Sequence, residues 1–170
     1  MLRLITYICA VVLAFAFPAM SSSRPGQDEA AAGAVGIGFP APDFKLTNIK
    51  GEARSLAQYR GKVVLVNFWA SWCPYCRTEM PSMDRLVKLF AKGDVVLLAI
   101  NVEKSIPEKY RRESVSFDFL SDSLRQVQQR YGANRLPDTF IIDRRGIIRQ
   151  RVMGGIEWDD PKVVNYLKSL

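Results

Sequence analysis

The sequence predicts an α/β fold, a central mixed sheet flanked by helices with an N-terminal extension, and three observations lead there. Lys62–Trp69 (KVVLVNFW) and Asp94–Asn101 (DVVLLAIN) are near-continuous apolar, β-branched runs, the pattern of strands covered on both faces. Segments of helical periodicity alternate with the strands, an order that implies parallel neighbours joined by crossovers. Towards the C-terminus, Thr139–Asp143 and Ile147–Val152 flank Arg144-Arg145-Gly146, a turn that folds them into an antiparallel hairpin.

The extension comes first in the chain. Arg3 precedes an apolar run from Leu4 to Phe17, followed by Pro18, small residues and Ser21-Ser22-Ser23. Charge, apolar core and small residues in that order are the layout of a secretory signal. The run is short against the roughly 20 residues of a bilayer-spanning helix, although counting on to Met20 brings it close. Residues 1–20 are therefore read as a signal peptide or, if retained, a membrane anchor. Cys9 lies early in the run and has no small residue directly before it, unlike a lipid-modified cysteine. Residues 21–38, rich in Ser, Ala and Gly without periodicity, read as a flexible linker. Residues 39–170 are left as one folded domain, as a chain of 170 residues allows.

Within that domain, Phe39-Pro40-Ala41-Pro42 opens the fold, residues 43–48 read as a short extended segment, and Ser55–Tyr59 as a single helical turn. After the first long strand, Met80, Met83, Leu86, Val87 and Phe90 recur at helical spacing and Gly93 ends the helix. Pro81 falls inside it and is expected to kink it. The methionines belong to the packed face of this helix and not to a metal box. Residues 105–113 read as a short helix, Phe117–Leu120 as a short strand, and Ser123–Tyr131 as a helix ended by Gly132. Trp158–Leu170 closes the chain as a last helix, for an order of βαβαβαββα.

Composition narrows the chemistry. The chain has no histidine, which removes the commonest general base near neutral pH and the commonest metal ligand. Ser-His-Asp hydrolysis, Cys-His proteolysis and histidine-bearing zinc sites are excluded with it. Of three cysteines, Cys9 lies in the leader, so the domain holds only the pair Cys73 and Cys76. A zinc ribbon needs a second such pair, so no metal site is expected, and no cofactor. The net charge of +7 is spread along the chain, with Arg111-Arg112 and Arg144-Arg145 as its tightest clusters. No nucleic-acid reader motif accompanies it, so no nucleic-acid partner is expected.

The cysteine pair sits in Trp72-Cys73-Pro74-Tyr75-Cys76, where the first long strand passes into a helix. Cys73 then lies at the helix N-terminus, where free N–H groups and the helix dipole stabilise a thiolate. Pro74 suits the first turn, in which its missing N–H is not needed. Cys76 is one turn along on the same face and can close a small disulfide. This makes Cys73 the exposed nucleophile and Cys76 the shielded thiol that resolves a mixed disulfide. A structural staple is the other reading, but so short a loop restrains the unfolded chain little. Export through the leader places the pair in an oxidising compartment, periplasmic or otherwise extracytoplasmic.

FWASWCPYCRTEMP, RLPDTFIID, the phrase SLAQYRGKVVLVNFWA and the DRRG hairpin together resemble the TlpA/ResA-like branch of the thioredoxin superfamily, an AhpC/TSA–Redoxin-type thioredoxin domain, across residues 39–170. That resemblance implies a thioredoxin-like fold and thiol–disulfide oxidoreductase activity. It matches Pro137, after Leu136, to the cis-proline that faces the cysteine pair and offers backbone to an extended substrate. It matches Glu79 to an acidic residue that relays protons and raises the thiol pKa; an acid complementing the helix dipole from the first turn is the alternative. Asn67 stands where ordinary thioredoxins carry aspartate, which passes proton transfer to Glu79 or leaves Asn67 a satisfied polar residue in the sheet. Trp72, with Pro74, Tyr75, Leu136 and Pro137, is assigned to substrate contact, and Trp69 to the core. The Pro-Tyr dipeptide departs from the branch's common forms and is similar to glutaredoxins over four residues, which bears on the reduction potential more than on the fold.

The resemblance further implies a reductase of client-protein disulfides, served by a membrane thiol reductant, in cytochrome c maturation or copper-site assembly. A disulfide-donating oxidase or isomerase is the alternative, although no large helical insertion for client binding is present. A thiol peroxidase places a single cysteine after a Pro-x-x-x-Thr element, and no cysteine here follows one; a copper-holding module uses a C-x-x-x-C pair and a histidine, and neither is present.

Overall fold

The computed structural model describes residues 35–90 and 93–170. The leader and residues 21–34 of the expected linker lie outside the described residues. The elements are β1 (Lys45–Asn48), β2 (Ala53–Ser55), a 3-10 turn at Leu56–Tyr59, β3 (Val63–Trp69), α1 (Pro74–Leu89), β4 (Val95–Asn101), α2 (Glu108–Arg111), β5 (Asp118–Ser121), α3 (Gln126–Arg130), β6 (Asp138–Ile142), β7 (Ile148–Met153) and α4 (Pro161–Lys168). One seven-stranded sheet has the order β2-β1-β5-β4-β3-β6-β7. Its centre is parallel, with β4 between β3 and β5. The β6–β7 hairpin adds antiparallel strands on one side, and β1–β2 on the other.

All seven residues of β3 are buried, as its apolar run, interrupted only by Asn67, requires for a strand covered on both faces. Alternation sends Val63 and Leu65 to a core shared with Met83 and Leu86 of α1 and Val164 and Leu167 of α4. Val64, Val66 and Phe68 face the other side, with Tyr131, Phe140 and Ile142. Burial of side chains of this size contributes about 1.5–3 kcal/mol each, so the sheet centre is the most strongly held part of the fold.

Several ends differ from the sequence reading. The helix after β3 stops at Leu89, where Phe90 turns extended, and not at Gly93; it runs continuously through Pro81. The helix expected over 123–131 is only Gln126–Arg130, because Arg125 takes a left-handed φ of 56° and the Asp122 carboxylate caps Gln128 N–H at 2.8 Å. The last helix starts at Pro161 and not at Trp158, since Asp160 caps it through Lys162 N–H at 2.7 Å. β2 was not expected: Ala-Arg-Ser has no alternation, and only its pairing with β1 makes it a strand. Residues 35–38 pack with the domain, Val35 against the core and Gly38 N–H on Ile148 C=O at 2.8 Å. Among the described residues, no helix is long and apolar enough to cross a membrane.

Candidate active site

β3 and α1 meet at the cysteine pair. Cys73 is extended (φ −82°, ψ 113°) and caps α1, its Sγ accepting from Cys76 N–H at 3.2 Å, while Pro74 occupies the first helical turn without wasting a donor. The connecting loop is tied from below. The Glu103 carboxylate accepts from Ser71 N–H at 2.6 Å, Ser71 Oγ–H at 2.9 Å and Asn101 Nδ2 at 3.0 Å. Burial opposes that charge, but the Asn101 and Ser71 bonds outweigh it and hold Glu103 below the usual carboxylate range.

Cys73 and Cys76 are joined by a disulfide with Cα atoms 5.4 Å apart. Cys73 is not the exposed residue expected from the sequence: it is 3% accessible, against 0% for Cys76. Its sulfur is turned into the helix N-terminus, where the Cys76 N–H meets it, and this geometry costs exposure. The flanking residues are open instead, Trp72 and Tyr75 being 64% and 69% accessible, with Pro74 also exposed. Trp69 is fully buried, edge-on to Tyr110.

One turn beyond Cys76, Glu79 is 2% accessible and lies past the first turn of α1, so it does not serve as a dipole partner. Asn67 Nδ2 donates to Glu79 Oε1 at 2.9 Å and to Thr139 Oγ1 at 2.9 Å. Trp158 Nε1 donates to Glu79 Oε2 at 3.0 Å, and the Ile156 N–H lies near enough to the same carboxyl to favour its charged form. Burial raises the Glu79 pKa from 4.5 to about 7, with the Trp158, Asn67 and Ile156 donors pulling it back. A carboxyl poised there exchanges its proton near neutrality.

The Leu136–Pro137 peptide is cis, and Pro137 directly precedes β6, whose first residue Asp138 pairs with Phe68 at the cysteine end of β3. Pro137 C=O accepts from Gly154 N–H at 2.9 Å. The next residue, Gly155, packs so closely on Tyr75 that an added Cβ would sit 3.2 Å from its carbonyl oxygen. One short segment after β7 therefore joins the proline loop to the cysteine loop. Leu136 is half-buried there, and Met153 and Ile156 are exposed.

The sequence reading missed Trp158, Ser82, Thr139 and the Ile156 N–H as neighbours of the site. Trp158 lies 79 residues from Glu79, and no local pattern announces a contact of that range.

A thioredoxin-type sheet with a disulfide capping the helix after its central strand and a cis-proline opening the next hairpin sets the comparison with known proteins. Residues 37–151 match the AhpC/TSA family. The chain belongs to that family. It is 38% identical over 140 residues to the thiol-disulfide oxidoreductase ResA of Geobacillus kaustophilus, covering 81% of this chain and 79% of that protein. It is 37% identical over 128 residues to the thioredoxin-like protein YneN of Bacillus subtilis, covering 71% and 74%. Among solved structures, the exposed lipoprotein thioredoxin Etrx1 of Streptococcus pneumoniae superposes with a TM-score of 0.65 at 27% identity, over 76% of this chain and 100% of that one. A thiol:disulfide interchange protein of Chlorobium tepidum superposes with a TM-score of 0.67 over 78% and 97%; its 24% identity speaks for the fold alone. This AhpC/TSA-family chain is a ResA-like thiol–disulfide oxidoreductase with a thioredoxin-like fold.

Proposed function

We propose that this protein works outside the cytoplasm as a reductase of protein disulfides, with Cys73 as nucleophile, Cys76 as resolving thiol and Glu79 as proton carrier. In the reduced protein the Cys73 thiolate attacks a client disulfide. That bond breaks, one client sulfur leaves as a thiolate and is protonated, and Cys73 is joined to the other. Cys76 gives its proton to Glu79 and attacks the Cys73 sulfur. The second client sulfur then leaves and takes a proton from Glu79, so two electrons pass to the client and the Cys73–Cys76 disulfide remains.

The observation that carries this reading is the buried Glu79 carboxyl, one turn from Cys76 and poised by burial at a pKa of about 7. A group that is half-protonated near neutral pH can both accept and return the proton. The exposed Trp72, Pro74 and Tyr75 and the half-buried Leu136 would meet the client, with Pro137 buried behind them and offering its loop's backbone. An extended client segment laid along Leu136–Pro137 would lie beside the segment that packs on Tyr75, whose ring is exposed like that of Trp72.

The leader at residues 1–20 supports export, and the Ser-, Ala- and Gly-rich sequence at 21–34 supports a domain tethered or released beyond the membrane. A membrane thiol carrier would then return the disulfide to the dithiol. Cytochrome c maturation and copper-site assembly supply client disulfides of the kind the resemblance implies.

Equilibrating the protein in thiol buffers and measuring the Cys73–Cys76 couple tests the direction of transfer. A potential around −270 mV, near thioredoxin, supports reduction of clients. A value around −120 mV would instead make the protein a disulfide donor.

A further inference from the structure

The two side-chain donors on Glu79, Trp158 from the segment after β7 and Asn67 from β3, differ in kind. The Trp158 indole N–H can only donate. Asn67 offers an amide, and its Oδ1 is buried with no hydrogen-bond partner among the described residues. Rotating the amide about its last bond would present that oxygen to a protonated Glu79 Oε1. Thr139 Oγ1, which donates or accepts, would serve the amide in either orientation.

Trp158 has no such freedom. It is fully buried among Met83, Leu86, Val164 and Leu167. Its backbone N–H donates to Ser82 Oγ at 3.0 Å, and Ser82 Oγ–H donates back to the Glu79 carbonyl at 2.8 Å. The indole is thus fixed to the same helical turn as the carboxyl it meets. A hydroxyl oxygen is a poorer acceptor than a carboxylate or carbonyl oxygen, so a fixed donor on Oε2 disfavours a proton there.

We propose that Trp158 is a positioning residue for the thiol–disulfide chemistry: its indole N–H reserves Glu79 Oε2 as an acceptor and leaves Oε1, on the Asn67 side, to take up and return the proton. The proposal rests on the reading of Glu79 as the proton carrier. Other charges around the carboxyl are directed elsewhere. At the start of α1 Cys73 and Cys76 are joined as a disulfide and carry no thiol proton in the oxidised protein; β3 and β6 contribute the neutral Asn67 and Thr139. Asp138, next to Thr139, points to the opposite face of β6 and is held by Arg151. Glu157 and Asp159, either side of Trp158, both bond Arg85 at the surface.

The test is a titration of Glu79 by carboxyl ¹³C NMR in the oxidised full chain, wild type and Trp158→Phe. Loss of the indole donor should raise the Glu79 midpoint by about one pH unit, and the pH profile of thiol exchange should move with it. In the wild-type protein the Trp158 indole N–H resonance should titrate at the Glu79 midpoint, and Glu79→Gln should abolish that step. This second measurement stands even if Trp158→Phe fails to fold. An unmoved Glu79 midpoint in folded Trp158→Phe, or an indole resonance that ignores the Glu79 titration, would overturn the role of Trp158 alone. Undiminished exchange by Glu79→Gln at every pH would overturn the reading of Glu79 beneath it.

Discussion

Arg151 on β7 grips Asp138 on β6 with two parallel bonds, Nε to Oδ1 at 3.0 Å and Nη2 to Oδ2 at 2.6 Å. Asp138 follows Pro137 directly and its side chain is fully buried. The same guanidinium also donates to Gly132 C=O at 2.8 Å and lies over the Phe140 ring. The loop that carries the cis-proline is therefore anchored from the face of β6 opposite Thr139 and Glu79.

Removing that anchor should be costly. Arg151→Ala leaves the Asp138 carboxylate buried without a partner, and the expected loss is about 3 kcal/mol of folding stability. Urea unfolding of the oxidised protein measures it; a loss below about 1 kcal/mol would mean that water replaces the guanidinium.

The two cysteines should fail differently. Cys76→Ala should trap a mixed disulfide between Cys73 and a client, visible by mass under non-reducing conditions, because the resolving thiol is gone. Cys73→Ala should trap none and reduce exchange to background. Equal trapping by both variants would contradict the assigned order of attack.

Glu79→Gln keeps the shape of the buried side chain and removes its proton. Exchange with a protein disulfide at pH 7 should fall on the order of 100-fold. Stability should also respond to pH. Burial raises Glu79 in the folded protein from 4.5 to about 7, so below 4.5 both states hold the proton and the wild type has its full stability. Between those values only the folded state holds it, and stability is lost as pH rises through 7, by about 3 kcal/mol in all. Glu79→Gln should lack this decline, as paired unfolding curves at several pH values would reveal.

Trp72 and Tyr75 expose most of their surface beside a buried disulfide, so their loss should disturb clients more than chemistry. Trp72→Ala and Tyr75→Ala should each raise KM for a protein client by about tenfold, the scale of an aromatic contact in an interface. Reaction with dithiothreitol should stay within about twofold of the wild type, since a small thiol makes no such contact. A parallel drop with the small thiol would place these rings in the chemical step instead.

Local signals in the sequence suffice for the centre of this protein. The near-continuous apolar runs of β3 and β4, the Cys-Pro-Tyr-Cys motif at a strand-to-helix junction and the Arg-Arg-Gly turn each appear in the fold where periodicity and turn chemistry put them. The absence of histidine and of a second cysteine pair from the domain excludes histidine-based hydrolysis and a zinc ribbon on composition alone, and the placement of the remaining pair at a strand-to-helix junction points to disulfide exchange. Helix ends were less legible, because Asp122 and Asp160 set them by capping geometry that the apolar spacing does not encode. The surroundings of Glu79 were not legible at all and come from tertiary packing. Trp158 reaches it across 79 residues and Thr139 reaches Asn67 across 72, because the sheet order brings β6 beside β3 and returns the chain from β7 over α1. Pairing between distant segments is a property of the packed whole, and so is the burial that poises this carboxyl near neutrality.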